Sequence, residues 1–109
     1  MRKSILSLAA LVLLGFQFAI AEAEVVWIDV RTSLEHAVDS IEGDPRIPHD
    51  EIVAGIADLY PDKSTEIHLY CRSGGRAGKA VAALQSAGYT NVSNAGGIDD
   101  ARQARGLEE

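Results

Sequence analysis

The sequence has 109 residues, enough for one small domain and not for two. Its formal charge is −6 at pH 7 with no basic stripe, which excludes nucleic acid and anionic membrane surfaces as partners. A single cysteine excludes an internal disulfide, so the apolar core alone must hold the fold.

The chain begins with a short basic start, Met1-Arg2-Lys3-Ser4, and an apolar run from Ile5 to Ile20 broken only by Ser7, Gly15 and Gln17. Ala19-Ile20-Ala21 supplies the small residues of a cleavage site. Residues 1–21 therefore read as a secretory signal peptide, with Ala23 as a second cleavage position. The alternative, an uncleaved anchor, needs a longer span than this run provides. The expected product is a periplasmic domain over 22–109, a monomer without membrane attachment after cleavage.

Val25 to Val30 is the first predicted strand. Its apolar run suits a parallel strand covered on both faces. Asp29 and Arg31 close it and read as a structural ion pair rather than as catalytic groups. Thr32 or Ser33 caps a short helix with Glu35 in its first turn. Leu34, Ala37, Val38 and Ile41 form its expected inward face, and His36 is expected at the surface without ligand partners. Arg46 and His49 read as solvated charges.

Asp50 is placed to cap a helix from Glu51 to about Leu59, with Ile52, Val53, Ile56 and Leu59 as its apolar stripe and Pro61 as its stop. A strand over 66–70 leads into Cys71, and a helix over 76–87 leads out, ended by Gly88 as the C′ residue. His68 is expected at the edge of the core. Tyr89 to Ser93 is the last predicted strand, Asn94-Ala95-Gly96-Gly97 a structural turn, and Ile98 to about Arg105 a final helix. Alternating strands and helices argue for an α/β layer fold with a mostly parallel sheet. Active loops in such sheets lie at the C-terminal ends of strands, where Cys71 falls.

A lone cysteine ending an apolar strand is commonly a small buried hydrophobe. Three features favour a reactive thiolate here. A helix starts at once, with free N–H groups and a partial positive charge. Gly74 and Gly75 allow unusual backbone angles and close approach of a ligand. Arg72 and Arg76 add positive charge. All three lower a thiol pKa or make room at it, so Cys71 reads as an activated nucleophile cradled by the backbone of residues 72–76.

Cys71-Arg72-Ser73-Gly74-Gly75-Arg76-Ala77-Gly78 after an apolar strand resembles the active-site loop of the rhodanese (sulfurtransferase) family. Val26-Trp27-Ile28-Asp29-Val30-Arg31 resembles that family's opening strand and its Asp-Val-Arg turn. Gly88-Tyr89-Thr90-Asn91-Val92 followed by Asn94-Ala95-Gly96-Gly97-Ile98 resembles its last strand and Gly-Gly turn. The likeness runs from about Val25 to Asp99 and points to the small, single-domain, exported type. It implies a rhodanese-like three-layer α/β fold, with a mostly parallel central sheet flanked by helices, in which Asp29 and Arg31 brace neighbouring loops. Two departures stand out. Between Ser40 and Pro48 the chain keeps Ile41, Gly43, Ile47 and Pro48 but carries Ser40 and Asp44 where the family has His and Ala. The aromatic expected after the Gly-Gly turn is missing.

The resemblance implies sulfur transfer by double displacement: Cys71 takes the outer sulfur of a small anionic donor such as thiosulfate and passes it to a thiophilic acceptor, cyanide or a thiol. The expected substrate-binding residues are Arg72, Ser73, Gly74, Gly75 and Arg76, the arginines gripping sulfonate oxygens. Neither cofactor nor metal is implied; His36, His49 and His68 have no ligand spacing. The alternatives are a persulfide carrier, a non-catalytic rhodanese-like binding module, and a cysteine phosphatase or arsenate reductase. Phosphatases of that kind place five residues between Cys and Arg, whereas four separate Cys71 from Arg76.

Overall fold

The computed structural model describes residues 24–108; the expected signal segment and both cleavage positions lie outside the described residues. Three parallel strands, β1 (Val25–Asp29), β2 (Glu66–Cys71) and β3 (Val92–Gly97), form one sheet with β2 in the centre. Between β1 and β2 the chain makes α1 (Ser33–Val38), then a 3-10 turn (His49–Glu51) running into α2 (Ile52–Leu59). A third helix, α3 (Gly75–Ser86), connects β2 to β3, and α4 (Ile98–Ala104) follows β3.

Alternate residues of the strands feed two cores, because successive side chains of a strand point to opposite faces. Val26, Ile28, Ile67, Leu69 and Cys71 pack with Ile52 and Ile56 of α2 and with Ala77, Ala80 and Leu84 of α3. Ile67 and Leu69 are wholly buried, each contributing roughly 1.5–3 kcal/mol of apolar burial. On the other face Tyr70 packs with Ile41, Ile98 and Ala101, bordered by Trp27 and Ala95. Trp27 stacks on His68, its partner across the ladder, at 4.4 Å.

The second face is closed by charged contacts from the end of the chain. Arg102 of α4 reaches Asp39 (2.7 and 3.1 Å), and Arg105 holds Asp44 by two bonds (2.6 and 3.1 Å) while lying over the Trp27 ring. Tyr70 donates its hydroxyl to the same Asp44 (2.9 Å). The buried carboxylate of Asp44 thus joins the central strand to the residue that ends the last helix. Burial and that carboxylate together raise the Tyr70 hydroxyl far above the ordinary phenol range.

Three expectations about the helices need correction. Helix α1 starts at the Thr32 cap, with a reciprocal Thr32–Glu35 capping box, but buries none of its residues. Leu34 and Val38 are 74% and 80% exposed, and only Ile41, beyond the helix, enters a core. Glu35 and His36 pin the opposite side of this short helix to the body of the protein, which leaves the apolar pair outside. Asp50 makes no cap bond: a 3-10 turn closed by Glu51 N–H on the Pro48 carbonyl (2.9 Å) opens α2 instead. Of that helix's stripe only Ile52 and Ile56 are buried, Val53 and Leu59 being exposed.

The last strand also differs. Tyr89 lies in the core outside the strand, with its hydroxyl on the Tyr60 carbonyl (2.9 Å). The ladder instead runs through the expected turn, pairing Leu69 with Asn94 and Cys71 with Gly97. Asn and Gly have poor strand propensity, but β2 needs a backbone partner along its C-terminal half, and tertiary pairing decides. Gly88, at φ 98°, does occupy the left-handed position after α3.

Candidate active site

Cys71 is the last residue of β2 and is 1% exposed. The chain turns at Arg72 and Ser73 and enters α3 through Gly74, whose φ of 101° is left-handed and suits glycine alone at low cost. This turn aims the first amides of a twelve-residue helix at the sulfur. Gly74 N–H donates to Cys71 Sγ at 3.0 Å. Burial pushes the thiol pKa up, but the backbone N–H groups of Ala77, Ser73, Gly74 and Arg76 outweigh it and hold the thiol below its ordinary range. The cradle is thus made of amides and extends one residue past the expected 72–76 stretch.

The two arginines divide. Arg76 does not present its fork to the loop's mouth: Nη1 and Nη2 bind Glu35 Oε1 and Oε2 of α1 at 2.6 and 2.8 Å. This pair holds the Glu35 carboxyl well below the usual carboxylate range and raises Arg76, to which the nearby Cys71 thiolate adds a smaller attraction. Glu35 thus occupies both terminal nitrogens of the guanidinium that the sequence assigned to sulfonate oxygens. Arg72 is exposed and pairs with no carboxylate among the described residues. Gly75 has ordinary helical geometry, and a Cβ there would meet nothing within 4 Å, so of the two glycines only Gly74 needs to be glycine.

The far wall of the loop is β3. Asn94 Nδ2 donates to the Gly74 carbonyl (2.9 Å), and its Oδ1 accepts from Gly96 N–H (2.9 Å). A Cβ on Gly97 would collide with the Arg72 carbonyl oxygen and stand 3.1 Å from its carbon. Asn94–Gly97, expected as a structural turn, is instead the strand against which the Cys71 loop is seated. Asn94 and Glu35 carried no sequence signal for these contacts.

Asp29 and Arg31 lie behind this arrangement. Asp29 is fully buried and accepts Arg31 N–H (2.9 Å), Nε (2.9 Å) and Nη2 (2.8 Å). His36, expected at the surface, is half-buried with Nδ1 3.0 Å from Asp29 Oδ2. Burial raises the Asp29 pKa, but the bonds from Arg31 and His36 win and hold it below the usual range. Arg31 Nη2 also reaches the Asp39 carbonyl (2.6 Å). The pair therefore ties the end of β1 to the last turn and C-cap of α1, and α1 in turn holds Arg76. Arg46 and His49 line a separate groove with Thr32 and Glu51. His68 bonds Ser93 and Glu66 (2.7 Å each) on the other face of the sheet. Among the described residues no group of His, Cys, Asp and Glu comes together in a way that would hold a metal ion.

Comparison with known proteins gives a consistent picture. A family model described as the rhodanese-like domain matches residues 16–104. Thiosulfate sulfurtransferase PspE of Escherichia coli K12 is 37% identical over 99 residues, covering 91% of this chain and 90% of its own length. A solved E. coli structure, a rhodanese with anions, is 38% identical with a TM-score of 0.67, covering 71% of this chain and 91% of that one. A rhodanese-like domain from Anabaena sp. is 28% identical with a TM-score of 0.66, covering 78% and 97% respectively.

Proposed function

The chain belongs to the rhodanese family, and from that premise we propose that it is a thiosulfate sulfurtransferase in which Cys71 carries the sulfur as a persulfide. In the first half-reaction the Cys71 thiolate attacks the outer sulfur of thiosulfate. The sulfur–sulfur bond of the donor breaks, sulfite leaves with the electron pair, and Cys71 keeps one extra sulfur and one negative charge. In the second, an acceptor such as cyanide attacks that outer sulfur, thiocyanate departs, and the thiolate returns. This is covalent catalysis in two displacements.

The observation that carries the reading is the amide cradle: Gly74 N–H on Sγ at 3.0 Å, with the neighbouring amides keeping the thiol below its ordinary pKa. The same donors suit the persulfide anion, as an oxyanion site suits its charge. Arg72, next to Cys71 in sequence and paired with no carboxylate among the described residues, takes the donor's sulfonate oxygens. Arg76, bound by Glu35, acts as a positioning residue that ties the start of α3 to α1. The near-complete burial of Cys71 favours a slim donor for the first step. The persulfide sulfur then projects about 2 Å farther, the length of the new bond, toward a bulkier acceptor. We further propose that residues 1–21 export the chain to the periplasm and are removed, leaving a single domain from residue 22.

Intact-mass analysis after thiosulfate treatment tests the chemistry. The expected result is gain of one sulfur atom, lost on adding cyanide and absent in Cys71→Ser. A protein left unmodified by thiosulfate would support a binding module instead, and turnover of p-nitrophenyl phosphate in its place would favour a phosphatase. N-terminal sequencing of the protein from a periplasmic fraction tests the export step; an intact Met1 would overturn it.

A further inference from the structure

The amide cradle depends on a residue with little stiffness of its own. Gly74 N–H reaches Cys71 Sγ at 3.0 Å with Gly74 at φ 101° and ψ −16°. Glycine enters that region at no steric cost and leaves it as easily, so contacts from outside must fix it there. Its carbonyl oxygen receives two of them. Gly78 N–H donates to it along α3 at 2.9 Å, and Asn94 Nδ2 donates to it from β3 at 2.9 Å. Both lone pairs of that oxygen are then used. The Asn94 amide is itself fixed, because its Oδ1 accepts Gly96 N–H at 2.9 Å. The opposite amide orientation would set oxygen against carbonyl oxygen. The amide also packs on the glycine: a Cβ at Gly74 would stand 3.7 Å from both Oδ1 and Nδ2. Asn94 is exposed, so core packing does not account for it.

The geometry points to Asn94 as a positioning residue for the Cys71 reaction: its side-chain amide clamps the Gly74 carbonyl and so keeps the Gly74 N–H on the sulfur. The inference rests on the sulfurtransferase reading and deepens it by a residue outside the loop. An amide suits the task. One end donates to a carbonyl, the other accepts from an N–H, and neither brings charge toward the thiolate. Aspartate would keep the acceptor, lose the donor and set a carboxylate oxygen against the Gly74 carbonyl. The charged groups of the surrounding elements are Arg72 of the turn, Arg76 of α3 with Glu35 of α1, Asp29 with Arg31 and His36, and Asp100 of α4, which accepts Gly97 N–H at 2.8 Å. Asn94→Ala and Gly78→Ala remove none of these, so a change in thiol titration in either variant reports geometry and not charge.

Gly78 gives a second handle on the same bond. A Cβ there would stand 3.3 Å from Asn94 Nδ2, close enough to displace the amide by a few tenths of an ångström. Gly78 lies inside α3, where alanine favours the helix. Gly78→Ala should therefore hold or raise the melting temperature while lowering the rate about threefold, given that a shift of about 1 Å costs about 100-fold. Asn94→Ala removes the bond outright and should lower thiosulfate kcat/KM about tenfold, mostly through kcat, the weight of one well-placed hydrogen bond. A loosened Gly74 N–H also stabilises the thiolate less, so the midpoint of thiol titration should rise by about half a pH unit to one unit.

The test follows two readouts in the full-length protein: thiosulfate-to-cyanide transfer, and titration of the only cysteine by its ultraviolet thiolate absorbance with Cys71→Ser as the blank. Thermal melting checks folding. The variants are Asn94→Ala, Asn94→Asp, Gly78→Ala and the double variant Asn94→Ala, Gly78→Ala. Slower transfer and a raised midpoint are expected in both Asn94 variants, with no further fall when Gly78→Ala is added to Asn94→Ala. An Asn94→Asp protein with the natural rate and midpoint overturns the clamp, since the bond to Gly96 would then suffice. So does an Asn94→Ala protein that melts lower but keeps its midpoint, and so does a Gly78→Ala effect that is undiminished without Asn94. A natural protein left unmodified by thiosulfate overturns the transferase reading alone, and the titration midpoints of the same variants then decide the clamp.

Discussion

Replacing Gly97 with alanine tests whether β3 seats the nucleophile loop. Gly97 pairs with Cys71 in the ladder, and a Cβ there meets two backbone atoms of Arg72 rather than the end of a flexible side chain. The carbonyl oxygen would lie inside the 3.0 Å that Cβ atoms respect, and the carbonyl carbon at 3.1 Å would also be crowded. Neither neighbour can rotate away, so β3 must retreat or the Arg72 peptide must turn, a backbone shift on the order of 1 Å with an overpacking cost of about 1–3 kcal/mol. At about 4–8 °C per kcal/mol for a domain of this size, the melting temperature should fall by roughly 4–24 °C. The turn that moves carries the amides holding Sγ, and a 1 Å misplacement at a reacting centre costs about 100-fold in rate. The assays are a thermal melt and thiosulfate-to-cyanide transfer on the folded variant below its melting point. Gly75→Ala, at a helical site with open space, is the steric comparison and should hold or slightly raise the melting temperature, by up to about 1 kcal/mol of stability. A Gly97→Ala protein that melts within 2 °C or so of the natural one and keeps its rate within about threefold would refute the reasoning.

Arg72→Ala should raise KM for thiosulfate about tenfold or more with little change in melting temperature, because it removes an exposed anion contact that pairs with no carboxylate among the described residues. Arg76→Ala should lower stability by about 1 kcal/mol through loss of the half-exposed Glu35 pair, and Glu35→Gln should reproduce most of that loss. Equal KM effects from the two arginine variants would contradict their division of roles. Asp29→Ala strands Arg31 without its carboxylate in a buried site and should cost about 3–5 kcal/mol, read by urea unfolding; a loss under about 1 kcal/mol would show that the pair is not holding the end of β1. The pH dependence follows from the lowered Cys71 pKa. Thiosulfate kcat/KM should rise with pH and level off below the ordinary thiol value of about 8.5, and a midpoint at or above that value would contradict the amide cradle. For stability, the folded pKa lies below the unfolded one. The thiolate's contribution is therefore complete above the unfolded value, shrinks as pH falls toward the folded value, and is gone beneath it.

Features set by neighbours in sequence were legible before the fold was known. The Thr32–Glu35 cap, the Gly88 helix end and the strand–cysteine–glycine–helix order each depend on a few adjacent residues, and each is present. What escaped depends on distant partners. Glu35 lies 41 residues from Arg76, and Asp44 lies 26 from Tyr70 and 61 from Arg105, so nothing local marks these carboxylates as partners. Leu34 and Val38 have the spacing of a core stripe, yet the Glu35 and His36 pairs turn that stripe outward. Asn94–Gly97 has the composition of a turn, but the empty side of β2 draws it into the ladder. The amide cradle around Cys71 was the most legible part of the candidate site, since its donors come from the backbone of its own loop.

The clasp from Arg102 and Arg105 back to Asp39 and Asp44 spans 63 and 61 residues. A ribosome or translocon delivers the chain from its N-terminus, at roughly 5–20 residues per second during synthesis. Tyr70 and Ile41 are therefore delivered seconds before the helix that covers them, and the nascent sheet waits with one greasy side bare. Until α4 arrives, that side is what a holding chaperone would grip, and a ribosome stalled before Ile98 would present a product whose sulfur loop is written but whose lid has not been made.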